Sequence, residues 1–251
     1  MSHVPSSSSP QTESSAAESA ARSPDREADR PSRPGWPEIA VGLAALAATG
    51  LGLGFLLGRL GLPPVAYGLS LAALSGVAGI AGFAAAFAVR IRTLGAFGVR
   101  RTSWRWIGIA IGAGVAAFVL KSLTIWVWVQ VFGEGEPVQA PYGVGGSGGL
   151  VSLVLATAFL SLLTPLGEEL LFRGVITNAL LRYGSVIGVV GSALVFAVTH
   201  GLNTVFPVAL VVGLITAEIF RRSGSIWPAV VVHAVVNLPT VPFLVAAGAT
   251  G

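Results

Sequence analysis

The second half of this sequence places a small set of ionisable side chains inside long apolar runs. They are Glu168, Glu169, Arg173, His200 and His233, and they include every histidine of the chain except His3. Ionisable groups at the depth of a bilayer are energetically costly and are usually functional. These groups therefore indicate a site that works inside a membrane.

The two adjacent glutamates are predicted to have different surroundings. Glu169 and Arg173 lie at positions i and i+4, so on a helix they share a face and can form an ion pair. Glu168 points about 100° away from that face and lacks the arginine partner. A desolvated carboxylate without a cationic partner accepts a proton more readily, which suits a general base in a dry site.

Each of the two histidines in the apolar runs shares a helical face with another side chain. Phe196 and His200 are at positions i and i+4, and so are His233 and Asn237. This spacing puts an aromatic ring beside His200 and a second polar side chain beside His233. The sequence thus predicts two histidine faces directed at neighbouring helices.

A turn predicted near Gly184 sets the relative heights of Glu168 and His200. Glu168 lies 16 residues before Gly184 and His200 lies 16 residues after it, so both are about 24 Å of helix rise from the turn. Their contact in an antiparallel hairpin is therefore expected. His233 lies 9 residues past Gly224, about 14 Å of rise, so it reaches this depth only with a tilted or re-entrant helix.

Each of these groups alone has an ordinary structural explanation. A glutamate pair near a helix end is usually solvated, a buried histidine is usually a hydrogen-bonded core residue, and a membrane asparagine often joins two helices. The chain is poor in acidic residues and histidines, yet it concentrates them at helical spacings. The combination favours a functional site.

The composition requires that these groups be positioned by membrane helices. The 251 residues are 53% hydrophobic and 10% charged, whereas soluble domains carry about 25% charged residues. The absence of cysteine excludes disulfides and thiolate metal ligands. The net charge of +4 comes from basic residues between apolar runs, where they orient a membrane protein, so we expect no nucleic-acid partner.

The predicted fold class is all-α: a polytopic transmembrane bundle of about seven helices, within a range of six to eight. A spanning helix needs about 20 apolar residues. The predicted segments are Glu38–Gly58, Val65–Val89, Trp106–Phe132, Leu150–Arg182 with a kink near Pro165, Val186–Leu202, Val205–Phe220 and Ile226–Ala247. We expect the glycine-rich stretch Gly143–Gly149 to be a flexible connection.

Three regions are predicted along the chain. Residues 1–37 form a disordered cytoplasmic tail, because they are rich in serine, proline and arginine and nearly free of apolar residues. Residues 38–149 form the first transmembrane helices, and residues 150–251 form a catalytic transmembrane core.

The arginines of the connections predict a multi-pass protein of the cell membrane with a cytoplasmic N-terminus and an external C-terminus. Every second connection along the predicted helices is basic. The remaining connections carry at most one arginine, Arg59, or the acidic residues Glu134 and Glu136. The basic residues are Arg22, Arg26, Arg30, Arg33, Arg90, Arg92, Arg100, Arg101, Arg105, Arg182, Arg221 and Arg222.

Residues Ser152 to Pro239 resemble the CAAX-protease and bacteriocin-processing (CPBP) family of intramembrane proteases, which includes the type II CAAX prenyl endopeptidases. That family carries EExxxR, FxxxH and HxxxN motifs on successive membrane helices. The matching residues here are Glu168, Glu169, Arg173, Phe196, His200, His233 and Asn237. The basic turn from Phe220 to Pro228 is also similar.

The resemblance implies a role for each of these residues. Glu168 and His200 would activate a water molecule for attack on a peptide carbonyl, and His233 and Asn237 would stabilise the oxyanion. Glu169, Arg173 and Phe196 would support them. The implied partners are membrane lipids and a protein or peptide substrate, including a lipid-modified one.

Two ways of activating water remain open. Members of the family are often named metalloproteases, and Glu168, His200 and His233 could hold zinc with an open position for water. We favour the base without a cofactor, since only two histidines lie in the apolar runs and Asn237 is a poor zinc ligand.

Two other classes of function compete with an intramembrane endopeptidase. Glutamate, arginine and histidine in a membrane also suit a small proton-coupled transporter, which should show inverted repeats and broken helices in both halves. A non-catalytic binding or immunity protein is the second.

Two further ionisable groups are expected to have minor roles: Lys121 faces a cavity or reaches the interface, and Glu218 pairs with Arg221.

Overall fold

Eight helices make up the structure of residues 33–133 and 138–248, the part of the chain that the computed structural model describes. No strand occurs in those ranges. The helices are α1 (Trp36–Arg59), α2 (Pro64–Val89), α3 (Trp104–Phe132), α4 (Ala140–Gly146), α5 (Leu150–Tyr183), α6 (Ile187–Thr199), α7 (Val205–Ser223) and α8 (Ile226–Ala246). Most of the predicted tail, residues 1–32, lies outside the described residues, as do Glu134 and Glu136.

Five of these helices, α1, α2, α3, α5 and α8, are long and apolar enough to cross a bilayer. Helix α6 is shorter, and α7 carries Glu218, Arg221 and Arg222 in its last turns. The chain is a multi-pass α-helical membrane protein, so the predicted fold class is confirmed and the eight described helices fall within the predicted range.

Helix α4 corrects the predicted flexible connection at Gly143–Gly149, because Gly143 to Gly146 are helical. The backbone of α4 lies directly against α2. A Cβ atom added at Gly68 would lie 2.3 Å from the carbonyl oxygen of Pro141 and 2.5 Å from the amide nitrogen of Gly145. The glycines therefore serve close helix packing in this segment rather than flexibility.

Helix α5 is continuous from Leu150 to Tyr183 but switches twice to π-helical hydrogen bonds. Two π-helical segments, Phe159–Leu163 and Leu170–Thr177, flank the six α-helical residues Thr164–Glu169. Pro165, the predicted kink, lies just after the first π segment, and π-bulges and prolines are the usual causes of helix irregularity. Both glutamates therefore lie in a short α-helical stretch between two widened ones.

Helices α2 and α5 touch through their backbones beside the glutamates. A Cβ atom added at Gly79 would lie 2.5 Å from the carbonyl carbon of Gly167. A Cβ atom added at Gly167 would lie 2.0 Å from the carbonyl oxygen of Gly76. This contact brings Ser75 of α2 next to Glu168 of α5.

The ends of the helices that carry the arginines are tied together by polar contacts. Arg90 donates to Glu38 at 2.6 Å and so joins α2 to α1. Arg100 donates to the carbonyl oxygen of Gly224 at 2.6 Å, and Ser225 donates to the carbonyl oxygen of Arg100 at 2.7 Å. Gly224 has a φ of +65°, a conformation that favours glycine at the end of α7. These contacts hold the connection after α2 against the start of α8.

Candidate active site

Glu168 is buried in the bundle with one carboxylate oxygen free. Ser75 donates a hydrogen bond to Oε1. Oε2 is buried and has no hydrogen-bond partner among the described residues. It lies 3.7 Å from Nε2 of His233, and Oε1 lies 3.9 Å from Nε2 of His200. The structure thus brings both histidines to Glu168, each just beyond direct hydrogen-bond distance.

His200 is held in one tautomer by its own helix. Its Nδ1 lies 2.9 Å from the carbonyl oxygen of Phe196. A carbonyl only accepts, so Nδ1 carries a proton and Nε2 of the neutral ring has a free lone pair. The Phe196 ring packs edge-on at 4.6 Å between centroids, as the i, i+4 spacing predicted. The His200 side chain is 25% exposed and Glu168 only 3%, so His200 forms the accessible edge of the pair.

Glu169 forms a separate pair with His233 on α8. Nδ1 of His233 lies 2.9 Å from Oε1 of Glu169, so this nitrogen donates to the carboxylate and Nε2 is directed at Glu168. The predicted ion pair is present as well, since Nε of Arg173 lies 3.0 Å from Oε2 of Glu169.

Arg173 is completely buried and is fixed by neighbours that the sequence motifs did not reveal. Its Nε donates to Oγ1 of Thr216 at 2.9 Å, so its contact with Glu169 is one of charge rather than a second hydrogen bond. The guanidinium lies 4.7 Å from the centre of the Phe196 ring, a cation–π contact. Phe196 thereby joins Arg173 to His200.

The shape of α5 accounts for part of the difference in depth that the sequence predicts between His233 and the glutamates. Leu170–Thr177 is π-helical, and a helix with i→i+5 bonds has more residues per turn and less rise per residue. Glu169 therefore lies closer to the Gly184 turn than a regular α-helix would place it. His233 meets Glu169 although it is only two turns into α8.

Asn237 follows His233 by one turn and is anchored to the first π segment. Its Nδ2 donates to the carbonyl oxygen of Leu160 at 3.1 Å. An amide nitrogen has two hydrogens, so one remains available for a ligand. The predicted polar face that consists of His233 and Asn237 is therefore directed at α5.

A cavity of about 290 Å³ joins these side chains. Its polar lining consists of Ser75, Lys121, Gln139, Tyr142, Thr164, Glu168, Thr199, His200, Asn203, His233 and Asn237. Ser75, Thr216 and Tyr142 carried no sequence signal, because single hydroxyl residues on other helices have no motif spacing. Glu218 does not line the cavity and pairs with Arg221 at 2.7 Å, as predicted, and also with Arg222 at 2.5 Å.

A second, apolar cavity of about 820 Å³ adjoins the first. It also reaches Glu168 and His200, and its walls are mostly aliphatic residues of α1, α2 and α6. Leu51, Leu194 and Val198 belong to these walls and are exposed at the surface of the bundle. An apolar path therefore leads from the lipid-facing surface to the glutamate.

Zinc is the metal that the resemblance includes as a possibility, with Glu168, His200 and His233 as its ligands. Among the described residues, no group of three or more His, Asp or Glu side chains is arranged to hold a metal ion. The Nε2 atoms of His233 and His200 lie 3.7 and 3.9 Å from the Glu168 carboxylate. We therefore propose a reaction that uses these side chains without a metal.

Comparison with known proteins identifies the region that carries this site. Residues 150–239 match the family described as type II CAAX prenyl endopeptidase, Rce1-like. No curated protein and no solved structure gives a significant match. The matched region contains all three motifs, from Glu168 to Asn237, and confirms the resemblance predicted from them. Residues 150–239, which are 90 of the 251 residues, therefore match the Rce1-like type II CAAX prenyl endopeptidase family.

Proposed function

We propose that this protein is an intramembrane endopeptidase in which Glu168 and His200 activate the water that hydrolyses a peptide bond. One observation supports this most strongly. The buried Oε2 of Glu168 has no hydrogen-bond partner among the described residues, and two imidazole Nε2 atoms lie within 4 Å of the same carboxylate. A proton acceptor with room for one small molecule beside it suits general-base catalysis.

In the first step the lone pair of His200 Nε2 orients a water molecule and Glu168 removes one of its protons. The water oxygen forms a bond to the peptide carbonyl carbon, and the carbonyl π electrons move to its oxygen. Ser75 holds Glu168 in place through Oε1, so Oε2 is the free acceptor. In the second step the C–N bond breaks, and protonated Glu168 returns the proton to the leaving amine.

Asn237 and His233 supply the donors for the oxyanion of the tetrahedral intermediate. Asn237 has one N–H beyond its bond to Leu160. The Nδ1 proton of His233 is already bound by Glu169, so His233 donates through Nε2 only when the ring is protonated. Glu169 stabilises that imidazolium, which gives the second glutamate of the pair a role different from the first.

The substrate is a peptide segment that reaches the site through the apolar cavity. Walls of leucine and valine favour an apolar or lipid-modified segment and exclude a free polar chain. The polar groups that fix its orientation lie in the smaller cavity. This division matches a substrate held in the bilayer with its scissile bond at Glu168.

A comparison of peptide termini in membrane proteomes tests the proposed function. Membrane proteomes of cells that express the wild type or Glu168→Gln are compared for new peptide termini. Glutamine keeps an acceptor for Ser75 and removes the base. Glu218→Gln, outside the cavity, is the matched control. We expect termini that depend on the wild type and on Glu218→Gln but are missing with Glu168→Gln. Identical termini for all three would contradict the proposal.

A further inference from the structure

Lys121 is the only lysine of the chain, and it lines the same cavity as Glu168 and His200. It lies in the middle of α3, one of the helices that can cross a bilayer. A cation at this depth is costly unless a partner compensates its charge. Its function is not explained by the proposed hydrolysis, in which it takes no part.

The charge of Lys121 is not compensated by the described residues. Nζ donates to Oγ1 of Thr240 at 3.0 Å, and this is its one hydrogen bond in that part of the chain. None of the ion pairs formed there includes Lys121. An ammonium group has three donors, so two remain for a ligand.

The position of Lys121 relative to Asn237 gives the distance of that ligand from the reacting bond. Thr240 follows Asn237 by three residues, across the turn at Leu238 and Pro239, so their Cα atoms lie at most about 11 Å apart. An extended peptide covers about 3.5 Å per residue. A substrate group that is bound by Lys121 is thus within a few residues of a substrate carbonyl that is bound by Asn237.

We propose that Lys121 binds a carboxylate of the peptide substrate and so selects the bond that is cleaved. This inference rests on the proposed function. A carboxylate compensates the charge and accepts both free N–H groups in charge-assisted hydrogen bonds. The carboxylate comes either from the C-terminus of the substrate or from an acidic side chain near the scissile bond.

Binding of three short peptides distinguishes these sources without requiring cleavage. The probes are an acetylated apolar tripeptide with a free C-terminus, the same tripeptide as its amide, and a tripeptide amide that contains glutamate. Their affinities are measured by titration calorimetry for the purified full chain in nanodiscs. The variants are Lys121→Met, Lys121→Arg and Arg105→Met, the last a control for loss of an exposed charge on the same helix.

We expect the wild type to bind at least one carboxylate-bearing peptide about tenfold more tightly than the neutral amide. Lys121→Met should lose this preference, while Lys121→Arg and Arg105→Met should keep most of it. A preference for the free C-terminus assigns the terminal carboxylate, and a preference for the glutamate peptide assigns a side chain. As a second measurement, the preferred peptide should protect Lys121 of the wild type from an amine-reactive reagent, read by mass spectrometry.

Equal affinity of the wild type for all three peptides would overturn the proposal, as would a preference that survives in Lys121→Met. Failure of the proposed function gives a different result. In that case the carboxylate preference and its dependence on Lys121 persist, but the wild type produces no new peptide termini.

Discussion

At the scale of single residues, the two glutamates differ in their partners. Oε1 of Glu169 accepts a hydrogen bond from His233, and Oε2 accepts none but lies 3.0 Å from the Arg173 guanidinium, so the negative charge of Glu169 is compensated. Glu168 receives one hydrogen bond from a neutral hydroxyl and keeps a free oxygen. The first glutamate is therefore available to take a proton, and the second fixes and stabilises His233.

Substitution of Asn237 and His233 distinguishes an oxyanion site from zinc ligation. Asn237→Asp removes the free N–H and places a negative charge beside the oxyanion. The cleavage rate of this variant should therefore fall by at least about a hundredfold, to a value below that of Asn237→Ala. His233→Gln keeps a donor and should retain partial activity. The measurement is the cleavage rate of purified variants before and after exhaustive chelation, which we expect to have no effect.

Zinc would reverse this pattern. His233→Gln would then lose both metal and activity, while Asn237→Asp would be tolerated as a substitute ligand. One zinc per chain by elemental analysis, with activity lost on chelation and restored by zinc, contradicts the metal-free account.

At the scale of helices, backbone contact between α2 and α5 sets the position of Glu168. Gly76 and Gly79 let the two backbones meet, and Ser75 on the same stretch of α2 bonds to the carboxylate. Small residues at such interfaces permit close approach of membrane helices. The Glu168 carboxylate is thus oriented by a helix that carries no motif.

Gly79→Ala is predicted to disturb the site through the backbone of Gly167 and Glu168. The added methyl would lie 2.5 Å from the Gly167 carbonyl carbon, and backbone atoms cannot give way as a side chain can. Separation of α2 from α5 moves Ser75 away from Glu168. We expect the free energy of unfolding to fall by about 1–3 kcal/mol and the cleavage rate to fall roughly 10- to 100-fold.

Gly108→Ala on α3 is the matched control, because nothing lies within 4 Å of its added Cβ. It should leave stability and cleavage unchanged. Equal behaviour of the two variants in thermal unfolding and in cleavage assays would show that the α2–α5 contact does not position Glu168.

The helical spacings explain which parts of the site were predictable. Glu169 with Arg173 and Phe196 with His200 depend only on i, i+4 geometry, and both contacts are present. The meeting of Glu168 with His200 required only the turn at Gly184. These relations are local, or pass through one short turn, so the sequence contains them.

The unpredicted parts depend on packing between distant segments. The π-helical register of Leu170–Thr177 has no motif of its own, and neither has the contact of His233 with Glu169. Ser75 reaches Glu168 across 93 positions because α2 and α5 touch, and Thr216 reaches Arg173 across 43. Helix α4 forms where a glycine-rich sequence alone indicates flexibility.

At the scale of the whole molecule, arginines from several connections lie at one end of the described bundle. Arg90, Arg100 and Arg182 contact α1, the end of α7 and Pro34 respectively, so the connections that carry them lie together. We propose that this end is cytoplasmic, with the N-terminus inside and the C-terminus outside, because basic loops are retained in the cytoplasm.

Cysteine labelling tests this orientation cleanly, since the chain has no cysteine of its own. Ser147 and Thr93 are both exposed and lie at predicted opposite ends. An impermeant thiol reagent should label Ser147→Cys in intact cells and Thr93→Cys only after lysis. The reverse pattern would invert the topology.

We propose that Glu168 and His200 act as one unit in hydrolysis of a peptide bond. The measurement is the rate at which a substrate identified by its new termini is cleaved. It is made in nanodiscs with the purified wild type, Glu168→Gln, His200→Ala and the double variant. We predict that each single variant loses at least about a hundredfold and that the double variant loses little more, because residues acting together are non-additive. Cleavage by Glu168→Gln near the wild-type rate, or losses that multiply in the double variant, would contradict the account.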